Sequence, residues 1–140
     1  MGSLIEMKFM KTLIDTSILI YLVDAKEEKK HQKVVGWFEG IFESNEYFVS
    51  LQNLREFAFV AKKKDLLLAE EIITYVELFA DSFNLLQDSV EDVKKASRKT
   101  KNKYWDALLI ATAKRNNIFQ VITENEKDFK GEIGVINILK

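Results

Sequence analysis

The chain has 140 residues, 47% of them hydrophobic and 31% charged, with a formal net charge of −1; this is the make-up of a folded chain rather than a disordered one. It contains no cysteine and a single histidine, which excludes disulfides, thiolate metal sites, cysteine nucleophiles and zinc cages built on two or more histidines. With a pI near 5.9 there is no global basic field, so a polyanion has to be met by a local patch.

No apolar run reaches the roughly 18 residues a membrane-spanning helix needs. Met1-Gly2-Ser3 does not open a signal peptide. Together with the cysteine count these features point to a reducing, cytoplasmic compartment. Residues 1–7 read as an N-terminal extension or expression remnant, and residues 8–140 as one domain.

In chain order, Phe9–Ile14 is a short apolar run ending at Asp15-Thr16-Ser17, the pattern of a buried strand followed by a helix-capping residue. The chain is apolar again over Ile18–Val23. After Asp24, the charged run Lys26–Lys30 opens a helix whose apolar face carries Val34, Val35, Phe38, Ile41 and Phe42 at spacings of three and four. Tyr47–Ser50 predicts a second strand, and a helix follows from about Gln52 to Lys64. Leu66–Phe79 predicts an amphipathic helix with Ile72, Ile73, Val76 and Phe79 on its apolar side. Asn84–Gln87 predicts a brief strand, and Asp88-Ser89 caps a helix from Val90 to about Thr100. Tyr104–Asn117 reads as a helix, Phe119–Thr123 as a strand and Val135–Ile138 as the last strand. Short apolar strands alternating with helices predict an α/β fold whose sheet is covered on both faces.

Carboxylates interrupt these apolar elements at four places. Asp15 lies at the carboxyl end of the first strand, where it either caps the next helix or faces a ligand. Glu56 sits in a helix with apolar flanks, on a solvated stripe beside Arg55 or aimed at a polar site. Asp106 is the one charged residue of Tyr104-Trp105-Asp106-Ala107-Leu108-Leu109-Ile110-Ala111-Thr112-Ala113. It is therefore expected to be buried, and to be paired, held by the helix dipole or bound to a metal. Thr123-Glu124-Asn125-Glu126-Lys127-Asp128-Phe129 follows a strand, either as an exposed acidic turn or as part of a site. Two carboxylates about 4 Å apart repel by roughly 4 kcal/mol at an effective dielectric near 20. Several together take up protons or a cation, and oxygen-only donors select a hard ion, Mg²⁺ or Mn²⁺.

These stretches, in this order, resemble the PIN-domain family. The matching motifs are Leu13-Ile14-Asp15-Thr16-Ser17, Val49-Ser50-Leu51-Gln52-Asn53-Leu54-Arg55-Glu56-Phe57, the Asp106 helix just quoted, and Ile122-Thr123-Glu124-Asn125-Glu126-Lys127-Asp128-Phe129. The likeness runs from about Lys8 to Lys140. It implies a three-layer α/β/α domain with a central, mainly parallel sheet, and a metal-dependent ribonuclease. Many short members are the toxin half of VapBC-type toxin–antitoxin pairs. By the same resemblance Asp15, Glu56 and Asp106 ligate Mg²⁺ or Mn²⁺, and Thr16, Ser17 and Thr123 support them by hydrogen bonds. The fourth motif departs from the commoner pattern. Asn125 stands where many members have aspartate, as in the members with a Thr-x-Asn-x-x-Asp-Phe form, in which the acidic group is supplied by the position of Asp128. A homodimer and a small antitoxin partner are also implied.

The densest positive run is Lys94-Lys95-Ala96-Ser97-Arg98-Lys99-Thr100-Lys101-Asn102-Lys103. Lys94, Lys95, Arg98, Lys99, Lys101 and Lys103 are either RNA contacts or a solvated helix face with lysines near its C-terminus. Their place beside an acidic site, which alone repels RNA, favours the first. His31 reads as a solvated surface residue, and Trp37 and Trp105 as core rather than base-stacking residues. The leading expectation is a Mg²⁺- or Mn²⁺-dependent endoribonuclease acting as a toxin. The alternative is a catalytically silent PIN-like module that binds RNA or a protein, which Asn125 keeps open. A phosphoryl-transfer enzyme with Asp15 as nucleophile is disfavoured, because Ser17 stands where a second aspartate is needed. Nucleotide-binding glycine motifs are missing.

Overall fold

The computed structural model describes residues 10–41 and 46–140; residues 1–7 and the predicted apolar positions Phe9 and Phe42 lie outside them. Among the described residues five strands form one sheet: β1 (Thr12–Ile14), β2 (Tyr47–Ser50), β3 (Asn84–Leu86), β4 (Gln120–Ile122) and β5 (Gly134–Ile136). Their order is β3-β2-β1-β4-β5, and every neighbouring pair is parallel. Parallel neighbours need long crossovers, supplied by α1 (Thr16–Val23), α2 (Glu28–Glu39), α3 (Leu51–Lys63), α4 (Ala69–Ser82), α5 (Val90–Ala96), α6 (Tyr104–Arg115) and α7 (Glu126–Phe129). A 3₁₀ turn, Lys101–Lys103, leads into α6.

Alternate strand residues feed opposite faces, as the two-residue period of a strand dictates. Ile14, Val49 and Ile122 join Leu19, Phe38, Phe57 and Phe79 in one apolar cluster. Leu13, Leu86 and Val121 join Leu109, Ala113 and Phe129 in the other. The first cluster draws on α1–α4 and the second on α6 and α7, while α5 packs on α6. The chain thus runs outward from β1 to β3 with its helices on one face. It then crosses back to β4 with its helices on the other, as crossovers of one hand running in opposite directions require. This is the expected three-layer α/β/α architecture, with a sheet parallel throughout.

With no proline in the chain, two long helices end in left-handed residues instead, Asp65 (φ 53°) after α3 and Asn117 (φ 61°) after α6. In each, the next N–H returns to a helix carbonyl, Leu66 to Ala61 and Ile118 to Ala113, both at 2.9 Å. The predicted helix over Val90–Thr100 stops earlier, at Ala96. There the Ser97 hydroxyl bonds back to the Val93 carbonyl (2.7 Å) and the chain turns. Ile73, expected on the apolar side of α4, is 50% exposed. Ile72 and Phe79 face the core, and Ile73 is turned about 100° around the helix from Ile72. Among the described residues no helix is long and apolar enough to cross a membrane.

Candidate active site

In open α/β sheets ligands bind outside the carboxyl ends of strands where the strand order reverses. Here that point lies between β1 and β4, and Asp15 and Thr123 are the residues that leave these two strands. Both are held by sheet-type bonds, Asp15 N–H to the Ile122 carbonyl (2.9 Å) and Thr123 N–H to the Ile136 carbonyl (3.0 Å). Asp15 occupies the cap position of α1 but makes no side-chain cap bond. Its Oδ2 instead accepts from Thr123 Oγ1 (2.8 Å) and Ser17 Oγ (3.2 Å). Those hydroxyls are fixed in turn, by Asn125 N–H to Thr123 Oγ1 (2.9 Å) and Glu124 N–H to Ser17 Oγ (3.2 Å). Burial raises the Asp15 pKa, and the hydrogen bonds of Thr123, Thr16 and Ser17 hold it back only in part. The Thr16 hydroxyl takes a different role, accepting from Asn53 Nδ2 (3.0 Å).

Glu56, one turn along α3 from Gln52, and Asp106, in the first turn of α6, face Asp15 across one cleft that Asn125 and Glu124 also line. Gln52 Nε2 donates to Glu56 Oε1 (3.1 Å) and to the Trp105 carbonyl (3.0 Å), tying α3 to α6 at the cleft. Burial raises the Glu56 pKa; the Gln52 bond opposes this and the Asp15 charge adds to it. Asp106 is pushed up to about 6, by burial first and then by the charges of Asp128, Asp15 and Glu56, with Lys103 opposing. Asp106 is half-buried, not enclosed as expected, because the first turn of its helix opens on the cleft. Asp128, exposed on α7, lines a second groove and meets the acidic cleft only through Asp106. Among the described residues no three acidic or histidine side chains are grouped closely enough to hold a metal ion.

The raised Asp106 pKa fixes the sign of a pH effect. A carboxyl whose folded pKa lies above its unfolded value of 3.8 favours the folded state below 3.8, and that favour is lost as pH rises through about 6. Asp92, Glu124 and Glu126 lie below their ordinary values, because hydrogen-bonded partners outweigh burial, so they stay ionised from pH 5 upward. In EDTA, the metal-free protein should therefore lose roughly 0.5–1 kcal/mol between pH 5 and pH 7.5 through Asp106, because solvent screens this half-exposed group, about 2–4 °C in Tm. Asp106→Asn should remove that loss. Parallel Tm-against-pH curves for the two proteins would show that Asp106 does not carry the effect.

Three arrangements near the site go beyond the sequence reading. Asn53 is 0% exposed and accepts from Ser50 N–H (3.2 Å) and Ser50 Oγ (2.9 Å), while its own N–H donates to Ser50 Oγ (2.9 Å). Ser-x-x-Asn directly after a strand is a legible capping box. Its further bond to Thr16, 37 positions away, is not. Glu124 is no exposed turn residue: Oε1 accepts from Tyr21 Oη, Oε2 pairs with Lys30 Nζ, both at 2.6 Å, and Lys30 also donates to Tyr21 Oη (3.2 Å). His31 is likewise not simply solvated, since its Nδ1 donates to the Tyr21 carbonyl (2.9 Å) where α2 folds back on α1.

Of the six basic residues singled out, the second groove collects Lys95, Lys99 and Lys103, and it adds Lys114, Lys127 and Lys130 from α6 and the α7 region. Its floor is Ala107, Ile110 and Ala111, and Asp106 is common to the groove and the acidic cleft. Lys94 pairs with Glu91 (3.2 Å), and Arg98 and Lys101 do not line the groove. Asp92, 1% exposed, takes Arg115 Nε (3.0 Å) and Thr112 Oγ1 (3.3 Å), which locks α5 on α6 and sets the lysines' positions. Trp37 is partly buried and packs against the core through Phe38 and Tyr47. Trp105 is 63% exposed, contrary to expectation, because the first turn of α6 stands clear of the sheet.

A PIN domain family model matches residues 12–131. No curated protein sequence matches the chain. Among solved structures, FitAB bound to an IR36 DNA fragment is similar at 18% identity and TM-score 0.68, over 92% of this chain and 96% of that one. Mycobacterium tuberculosis VapC20, described as a sarcin–ricin loop cleaving toxin, is similar at 11% identity and TM-score 0.68, over 86% and 95%. A toxin–antitoxin complex from Klebsiella pneumoniae is similar at 26% identity and TM-score 0.63, over 91% and 97%.

Proposed function

This chain belongs to the PIN domain family, and from that membership we propose that it is a metal-dependent endoribonuclease that hydrolyses RNA phosphodiester bonds as the toxin of a toxin–antitoxin pair. The observation that carries the reading is the cleft at the sheet's switch point, where Asp15, Glu56 and Asp106 face one another and Asp106 is pushed to about 6. Buried, mutually repelling carboxylates are costly to a fold, and a functional site is where such a cost is kept. The Klebsiella complex and the FitAB and VapC20 structures support the toxin reading. It takes a small antitoxin and a second copy of the chain as partners, in the cytoplasm.

The donors fit a divalent ion by their chemistry: carboxylate, hydroxyl and amide oxygens with no sulfur or imidazole select Mg²⁺ or Mn²⁺. Asp15, Glu56 and Asp106 would hold it, with Asp128 adding negative charge from the groove side. Bound there, such an ion supplies an activated water and neutralises charge on the phosphate oxygens. The chain's own groups prepare the site. Thr123 and Ser17 orient the Asp15 carboxylate through Oδ2, so neither bond uses Oδ1. Gln52 fixes Glu56. Asn53 fixes the start of α1 against the start of α3. Such prior orientation is what makes electrostatic stabilisation effective, since little reorganisation is left for the moment of reaction.

Lys95, Lys99 and Lys103 supply phosphate contacts in this reading. Changing all three to glutamate should weaken binding of a labelled single strand and reduce the slope of log K against log salt by about 2, at roughly 0.7 per phosphate contact. Lys94→Glu, already paired with Glu91, should change it little; equal effects of the two variants would remove the groove from the RNA path. The function itself is tested by incubating a labelled structured RNA with the protein in Mn²⁺ and in EDTA. Cutting in Mn²⁺ alone is expected, and no cutting of several RNAs would favour the silent binding module.

A further inference from the structure

An exposed tryptophan is the least expected surface residue here. Indole carries a large apolar area and is normally mostly buried, as Trp37 is in this chain. Trp105 is 63% exposed, and it immediately precedes Asp106, the carboxylate that borders both the acidic cleft and the lysine groove. Its position is held. The Trp105 carbonyl accepts from Gln52 Nε2 (3.0 Å), the same amide that holds Glu56, and its ring stands edge-on to Tyr104, with centroids 5.0 Å apart. A held aromatic ring, one residue from the carboxylate that lines the lysine groove, matches the way single strands are held, bases on rings and phosphates on lysines.

We propose that Trp105 is a stacking platform for an unpaired RNA base adjacent to the phosphodiester that is cleaved, and so helps to choose which bond is cut. The inference rests on the ribonuclease reading and adds to it a base contact. The acidic cleft can act on any phosphodiester, whereas a base lying on Trp105 is unpaired, because a paired base keeps its faces within the helix stack. Lys99 and Lys103, just before Trp105 in the chain, lie on the groove side and meet the backbone of the same strand.

The test uses the whole protein and a short single-stranded oligoribonucleotide, with a second oligomer carrying abasic positions in place of bases. In EDTA the intact oligomer should quench tryptophan emission and the abasic one should not. Trp105→Phe should abolish the quenching, which assigns it to Trp105 because Trp37 is retained. With Mn²⁺, Trp105→Ala should raise KM for the single strand about 5- to 150-fold, with Trp105→Phe falling between it and the unmodified protein. Quenching that persists in Trp105→Phe, or unchanged kinetics in Trp105→Ala, would overturn the proposal while leaving the ribonuclease intact. A concentration-dependent blue shift of Trp105 emission without any response to RNA would also overturn it, by assigning the ring to an interface between copies. If the unmodified protein cuts nothing yet its Trp105 is quenched by the intact oligomer alone, the stacking site stands and the nuclease reading fails.

Discussion

Asp106→Asn is expected to lower Mn²⁺-dependent RNA cleavage by at least about 10³-fold while making the metal-free protein more stable at pH 7.5. The two effects have one cause. Asparagine keeps the shape of the side chain and removes the charge that Asp15, Glu56 and Asp128 repel, which relieves the fold. The same charge is the one a divalent ion needs. Asp15→Asn should match the loss of cleavage, because Oδ2 of Asp15 is the fixed point of the Thr123 and Ser17 hydrogen bonds. Thermal melting supplies a readout independent of activity: millimolar Mn²⁺ should raise Tm of the unmodified protein and leave Asp106→Asn unmoved. Loss of activity with gain of stability is the signature of a site kept for function. Full cleavage by Asp106→Asn would remove this residue from the site.

Asn53→Ala is expected to cost about 2–4 kcal/mol, a fall of roughly 8–15 °C in Tm. The side chain is 0% exposed and every one of its hydrogen bonds stays inside the protein. Alanine keeps the Ser50 Oγ bond to the backbone N–H of position 53 but removes the side-chain half of the capping box, leaving Ser50 N–H and the Thr16 hydroxyl without that partner in a buried setting, about 1–2 kcal/mol for each. The loss also bears on the site. Asn53 joins the start of α3, which carries Glu56, to the start of α1, which follows Asp15. Its removal should therefore lower kcat even at temperatures below the unfolding transition, where the variant is still folded. Urea denaturation gives the stability; a midpoint within error of the unmodified protein would show that water replaces these bonds at no cost.

These two residues mark the two sides of what is legible in the chain. Asp106 stands out without a structure, as a lone carboxylate in an apolar helix, and so does Asp15 as a polar stop after an apolar strand. Asn53 does so only in part: its three bonds with Ser50 are local, but the fourth, to Thr16 37 positions away, leaves no trace in its neighbours. The same division runs through the basic residues. The run from Lys94 to Lys103 is visible as composition, but only Lys95, Lys99 and Lys103 of it reach the groove, and their companions Lys114, Lys127 and Lys130 come from another helix and the loop around α7. Trp105 was expected in the core on flanking apolarity alone, and burial depends on where the first turn of α6 ends up relative to the sheet.

Strand and helix order, the α/β class and the four acidic positions were determined by the sequence itself, since a two-residue or 3.6-residue period and a capping pattern act over a few neighbours. The tertiary structure alone decided that β1 and β4 lie side by side, which brings Thr123 onto Asp15 across 108 positions. It alone decided that Glu124 is fastened to Tyr21 and Lys30, and that Gln52 joins Glu56 to the backbone of Trp105. Contacts of that kind leave no periodic trace in the chain. They arise because two apolar faces must be buried on opposite sides of one sheet, and that packing, rather than any local preference, selects which distant polar groups meet.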